Sequence, residues 1–299
     1  MFASLSYLQA IVMGLLQGVT ELFPVSSLGH SVLVPALLGW HNLVSGQAAA
    51  QSFFLVFIVG LHVGTAVGLI IYYRSTWQTL FRGVARQWRA SRSAGVATLW
   101  RLRDPSIDAN YRLLLLLIVG TIPVGLAGLV FEKALRILFA KPLAAAVFLT
   151  LNGIVMLFAE RLRRTQGRHA AHLTFTAMTP QNAGAIGVAQ IFALFAGISR
   201  SGVAMVAGLL AGLDHRDAAT FSFLLATPVI LLAGLYKVPE LLGPLGNGVR
   251  GQALVGAFFA AGASLISVRF LVRWFSTKTL TPFALYSLVV GLLCVVRFA

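Results

Sequence analysis

The chain has 299 residues, 58% of them hydrophobic and 10% charged, whereas soluble domains carry about 25% charged residues. That balance, with a mean hydropathy of +0.87, excludes an ordinary soluble domain and makes the bilayer the main solvent. A formal charge of +15 does not imply nucleic acid here, because Lys and Arg sit mostly between the apolar runs, where they mark cytoplasmic loops and anionic headgroups. The one cysteine, Cys294, can form no internal disulfide and reads as a small core hydrophobe. The amino terminus has no basic leader and carries Gln17 and Glu21 in its apolar stretch, so no cleaved signal is expected.

In chain order the apolar runs are Tyr7 to Phe23, Leu28 to Trp40, Ser52 to Tyr73, Leu113 to Val130, Pro142 to Ala159, Ala183 to Phe195, Val203 to Leu213, Ala218 to Tyr236, Ala253 to Phe270 and Phe283 to Val296. The first pair is broken around Pro24-Val25-Ser26-Ser27, and the sixth and seventh around Gly197-Ile198-Ser199-Arg200-Ser201. Short apolar pieces joined at polar breaks read as re-entrant helical hairpins, and the other six runs as true crossings. The segment from Arg74 to Arg112 is expected to be a solvated loop touching headgroups. Asp214-His215-Arg216-Asp217 reads as a charged turn, with Asp217 capping the next helix.

The two breaks look like one element used twice. Gln17 precedes Ser26, and Gln190 precedes Ser199, by the same nine residues. Ser52-Phe53-Phe54-Leu55 and Phe221-Ser222-Phe223-Leu224 follow at corresponding places. The expected fold is an all-α polytopic membrane protein forming a single integral membrane domain over 1–299. It would contain two inverted-topology repeats, about 1–172 and about 173–299, each a re-entrant helical hairpin plus three transmembrane helices. Three crossings per repeat turn the second repeat over and bring the two breaks together near the midplane. Chance likeness among apolar residues is the competing reading. Most of the 23 Lys and Arg residues fall on the side that holds Arg74 to Arg112, so the positive-inside rule puts both termini outside and opens the first hairpin outward.

Polar groups at membrane depth are costly, and each is a functional candidate. Gln17 and Glu21 lie four apart on one helical face, followed by Ser26, Ser27 and His30. The helix starting there offers free backbone N–H groups and a positive dipole end to an anion. Gly197-Ile198-Ser199-Arg200-Ser201-Gly202 offers a second such start, in which the fork of Arg200 suits a phosphate. Together they would supply a carboxylate, an imidazole, hydroxyls and an arginine, the parts needed for phosphoryl transfer. Each residue also has a structural reading: Glu21 and Arg200 as a buried ion pair, Ser26 and Ser199 as helix caps, His30 bonded to a carbonyl. His62, within an apolar span, either lines the pocket or is a satisfied helical histidine, and the second is favoured.

At these motifs the chain closely resembles the undecaprenyl-diphosphate phosphatase family, also called bacitracin-resistance proteins. Gln17-Gly-Val-Thr-Glu21-Leu-Phe-Pro-Val-Ser-Ser-Leu-Gly-His30 is similar to the family's first motif, and Gly197-Ile-Ser-Arg-Ser-Gly202 to its second. Leu61-His62-Val63-Gly64-Thr65, Gly120-Thr121-Ile122-Pro123 and Pro282-Phe-Ala-Leu-Tyr286 also resemble family segments. The resemblance implies that Gln17 and Glu21 bind or orient a divalent cation, Mg²⁺ or Ca²⁺, and the attacked phosphate. Arg200 would hold the diphosphate, with Ser26, Gly197, Ser199 and Ser201 as further phosphate contacts. Ser27 would be a nucleophile assisted by His30, with His30 itself or water as the other options. The implied substrate is undecaprenyl (polyprenyl) diphosphate, hydrolysed to the monophosphate from the outer face of the bacterial cytoplasmic (inner) membrane. This would recycle the carrier for peptidoglycan and confer bacitracin resistance; a homodimer is allowed and no nucleic-acid partner is expected. The second motif departs from the family pattern at Ala196, Ile198 and Ala204, where Pro, Thr and Thr are usual.

Two rival classes share parts of this pattern. Lipid phosphatases that form a phosphohistidine need a histidine and a carboxylate after Ser-Arg, and residues 201–213 contain neither. A polyprenyl-phosphate transporter or flippase could share inverted repeats and the same phosphate site. Such a carrier would need cations but no base or nucleophile, so Glu21, His30 and the hydroxyls favour hydrolysis.

Overall fold

The structure is a computed structural model that describes residues 5–40, 42–43, 53–95, 107–139, 141–165 and 173–299. Ser52, His41, His169 and His172 lie outside the described residues. The described chain is α-helical, with short 3₁₀ turns and one isolated bridge between Leu173 and Leu213. In order the helices are α1 (Tyr7–Thr20), α2 (Ser27–Leu37), α3 (Phe53–Tyr72), α4 (Arg74–Ala94), α5 (Ala109–Phe139) and α6 (Pro142–Thr165). They continue with α7 (Pro180–Ala189), α8 (Arg200–Leu210), α9 (His215–Leu242), α10 (Arg250–Trp274) and α11 (Thr281–Phe298). Among the described residues, α3, α5, α6, α9, α10 and α11 are long and apolar enough to cross a membrane, and α1, α2 and α8 are shorter apolar helices. These are the six crossings expected from the sequence.

Local chemistry sets the helix starts. Ser6 and Gln9 form a reciprocal capping box on α1, and Thr179 caps α7 with Pro180 in its first turn. The cap of α9 is Asp214, whose carboxylate accepts from the Asp217 amide at 2.7 Å. Asp217 instead accepts from the Phe175 amide at 3.0 Å, correcting its expected role as the cap. The largest departure is α4: Arg74–Ala94 is a 21-residue helix. Its polar composition hid it among the apolar runs, yet Leu80, Gln87 and Ser91 are buried along one side. Arg86 Nε meets Asp108 at 2.6 Å, and that hydrogen bond holds the Asp108 carboxyl below its ordinary range.

The spans pack through small residues, as expected where lipid supplies no hydrophobic drive between helices. α1 lies along α10 and α7 along α5, while α3 meets α9 and α6 meets α11. Gly14 stands on the Gly256 carbonyl and Gly187 on the Gly120 carbonyl, so each small helix touches a long one where neither has a side chain. Phe57, Phe221, Phe223 and Phe275 are among the largest fully buried side chains. A Cβ at Gly14 or Gly187 would strike backbone, whereas Gly262 on α10 faces open space. Gly14→Val or Gly187→Val should therefore cost about 1–3 kcal/mol, read as a lower unfolding temperature in detergent, while Gly262→Ala should leave it unchanged or higher.

Candidate active site

The loops between α1 and α2 and before α8 meet in the protein interior. Ser26 is the one described non-glycine residue with positive φ, at 70°; such a conformation costs roughly 1–3 kcal/mol and persists only where its surroundings enforce it. The enforcement is visible. The Ser26 hydroxyl accepts from the Gly29 amide at 3.2 Å and, across the fold, from the Gly197 amide at 3.1 Å. Gly197 has φ of 110° and packs where a Cβ would strike the Ala145 carbonyl, so glycine is required there. Ser199 caps α8, accepting from Gly202 at 3.1 Å. Its hydroxyl lies 3.1 Å from that of Ser201.

Asn152 on α6 joins the two breaks. It is 1% exposed, donates to the Pro24 carbonyl at 3.0 Å and to Ser287 at 3.3 Å, and accepts from the Ser199 amide at 3.0 Å.

Glu21 is the hub of the site. Its Oε1 accepts from Arg200 Nε at 3.2 Å and Nη2 at 3.1 Å, and its Oε2 from Ser27 Oγ at 2.5 Å and Gln17 Nε2 at 3.2 Å. Oε2 also lies 3.2 Å from His62 Nε2. His62 Nδ1 donates to the Ile58 carbonyl at 2.8 Å, so both ring nitrogens face oxygen and the contact with Glu21 needs a proton on Nε2. The remaining nitrogen of Arg200, Nη1, donates to the Ser222 carbonyl at 3.3 Å.

The structure thus brings together Gln17, Glu21, Ser27 and Arg200, as the sequence suggested, and supplies a different histidine. His30 Nδ1 meets the Ser26 carbonyl at 2.7 Å and Nε2 meets Tyr286 Oη at 2.9 Å. Its carbonyl bond supports the strained Ser26, while the imidazole at the carboxylate is His62. Of the two sequence readings of His62, pocket-lining or a satisfied helical histidine, the sequence favours the second; the structure has it do both, lining the cavity while Nδ1 bonds the Ile58 carbonyl.

A cavity of about 950 Å³ opens at this cluster. Glu21, Ser26, Ser27, His62, Ser199 and Arg200 form its polar end. Ile122, Leu126 and Leu129 on α5 and Leu232 and Tyr236 on α9 are among the apolar residues of its lining, which also takes in Lys237. Those apolar side chains are more than half exposed, so the cavity presents surface that lipid would cover. Gln17, His30, Gly197 and Ser201 stand outside this lining and are buried or, for Gly197, bonded to it.

Residues 10–293 match the family described as bacitracin resistance protein BacA. The chain belongs to the BacA family. It is 47% identical to undecaprenyl-diphosphatase 2 of Frankia alni over 99% of this chain and 98% of that one. It is 47% identical to an undecaprenyl-diphosphatase of Mycolicibacterium paratuberculosis over 97% of each. A third relative, the undecaprenyl-diphosphatase of Acidiphilium cryptum, is 41% identical over 96% of each. With its six apolar spans, this BacA protein is a multi-pass bacterial membrane protein.

The site also allows a test of fit for a divalent cation. Among the described residues no group of three or more His, Cys, Asp or Glu could hold a metal, which excludes an all-protein cage there. Gln17 Oε1, however, is buried without a partner, beside a carboxylate. One carboxylate and one amide oxygen suit a hard cation that takes its other ligands from water and substrate phosphates.

Asn152 has a distinct stability signature. Asn152→Leu leaves the Ser199 amide and Pro24 carbonyl without these bonds, and should cost about 2 kcal/mol or more. Thermal unfolding should show the loss, and hydrogen exchange should show faster amide exchange at Ser199 than in the parent protein.

Proposed function

We propose that this chain hydrolyses the diphosphate of a polyprenyl lipid, releasing inorganic phosphate and the lipid monophosphate; undecaprenyl diphosphate is the substrate carried in its relatives' names. The supporting observation is the 2.5 Å hydrogen bond from Ser27 Oγ to Glu21, at the polar end of an apolar cavity where two helix N-termini and Arg200 converge.

The prenyl chain occupies the apolar part of the cavity between α5 and α9, and the diphosphate lies at the starts of α2 and α8. Backbone N–H groups of those first turns and the helix dipoles favour its charge. Arg200 shares its guanidinium between Glu21 and the phosphate, neutralising charge as the phosphoryl group transfers. Glu21 accepts the Ser27 proton while Oγ attacks the terminal phosphorus. The bridging P–O bond breaks, and its electron pair leaves with the lipid monophosphate. Glu21 passes that proton to the departing lipid monophosphate, then takes a proton from water, whose oxygen attacks the phosphoserine; the P–Oγ bond breaks, phosphate leaves, and Glu21 returns the proton to Ser27 Oγ. His62 holds the carboxylate in line and shares its charge. His30 positions Ser26. Gln17 and Glu21 would hold Mg²⁺ or Ca²⁺ against the substrate phosphates, where a bound cation supplies further charge neutralisation.

The same reading makes the chain a single membrane domain of two inverted repeats, about 1–172 and 173–299. The matched packings of α1 on α10 and α7 on α5, with Gly14 on Gly256 and Gly187 on Gly120, support it. The distribution of basic residues supports a cavity facing outward in the cytoplasmic membrane. Recycling of the cell-wall carrier, loss of the diphosphate that bacitracin sequesters, and a homodimer belong to this proposal.

The test is phosphate release from polyprenyl diphosphate in detergent, with Mg²⁺, Ca²⁺ or chelator. Glu21→Gln and Ser27→Ala should each lower kcat by about 10²–10⁴-fold, and Arg200→Lys by about 10²-fold. His62→Gln should lower kcat less than Glu21→Gln does. Activity undiminished in Glu21→Gln and Arg200→Lys would overturn the site. A phosphoserine trapped on acid quench would support Ser27, whereas turnover persisting in Ser27→Ala would transfer the attack to water.

A further inference from the structure

The helix α4 has no part in the site above, and its surface is patterned. One side, with Leu80, Gln87 and Ser91, is buried, and Gly83 lies against Asp108, Asn110 and Tyr111 at the start of α5. At 100° per residue, Phe81 and Trp88 share a stripe beside that buried side, and they are 61% and 51% exposed. The next stripe round carries Arg82 and Arg89, and Arg92 continues the aromatic stripe one turn beyond Trp88; all three are exposed. No acidic residue occurs in Arg74–Ala94, and Asp108, the acid at its inner edge, is taken by Arg86 at 2.6 Å.

Position adds a second argument. α4 begins two residues after the last residue of span α3 and seals onto the first turn of span α5, so it sits where two crossings leave the hydrocarbon. Exposed aromatic rings at that level, flanked by arginines, match the layering of a membrane interface: acyl-chain ends, then phosphates. A soluble acidic partner would account for the arginines but not for the exposed rings beside them.

We propose that the outer face of α4 binds the anionic headgroups of the bilayer, with Arg82, Arg89 and Arg92 on lipid phosphates and Phe81 and Trp88 among the upper acyl chains. The surface is selective for acidic over zwitterionic phospholipid, because a cluster of positive charges on a helix without acidic residues gains most from net negative headgroups. It stands independently of the phosphatase reading.

The experiment keeps Trp88 as the only tryptophan, the others replaced by Phe, in full-length protein reconstituted into phosphatidylcholine vesicles. These contain either brominated phosphatidylglycerol or brominated phosphatidylcholine at equal mole fraction. Both lipids should quench Trp88, with phosphatidylglycerol favoured by roughly fivefold for each engaged arginine at low salt. High salt should weaken that preference. Arg82→Gln, Arg89→Gln and Arg92→Gln together should abolish the preference, while the corresponding triple Lys variant keeps most of it. Unchanged thermal unfolding in detergent would show that the Gln variant is folded; if it is not, the salt series on the parent protein decides. No quenching by either lipid would place α4 in water, and equal quenching by both at low salt would deny the selectivity; either result overturns the proposal. So would binding of soluble polyglutamate that abolishes Trp88 quenching by both lipids.

Discussion

A helix broken inside a membrane protein exposes backbone donors and acceptors that no lipid can satisfy, and the architecture answers that constraint with two side chains. The Ser26 hydroxyl takes the amides of Gly29 and Gly197, and Asn152 spans the Pro24 carbonyl and the Ser199 amide. Each reaches from one break to the other. The same bonds that satisfy the backbone thereby fix the separation of the two helix starts, and with it the place of Arg200 relative to Glu21. Strain at Ser26 and the requirement for glycine at position 197 follow from this tight approach.

The carboxylate of Glu21 is saturated with donors. Arg200 occupies one oxygen, while Ser27, Gln17 and His62 share the other. Burying such a group is tolerable only when its partners are all in place, and removing one leaves an uncompensated charge that costs several kcal/mol. Structure and chemistry are therefore joined here: the pair that binds α1 to α8 also aims the Ser27 hydroxyl and holds a guanidinium at the cavity.

Much of this was legible in the sequence because membranes impose coarse rules. Run length and the polar breaks at Pro24 to Ser27 and Gly197 to Ser201 together mark the six spans, and the spacing of Gln17 to Ser26 matches that of Gln190 to Ser199. Ser26 and Ser199 are caps and Glu21 and Arg200 are an ion pair, so the structural readings of these residues hold. What escaped depends on helix rotation and on distant partners. His30 and His62 are both histidines in apolar surroundings, and only the packing of α3 beside α1, with Tyr286 beside α2, tells which imidazole meets the carboxylate. Asn152 stood within an apolar run where its cost should have flagged it. α4 does not stand out as an apolar run, because its buried side includes glutamine and serine.

The cavity also bears on pharmacology. Its apolar walls on α5 and α9 are surfaces that a bilayer covers, while its polar end is small and crowded with fixed charge. A compound built to fill it must first dissolve in the membrane. Its apparent potency would then track its partitioning into lipid as much as its fit to the protein, and a hydrophilic diphosphate mimic lacking a greasy tail would arrive at the wrong door.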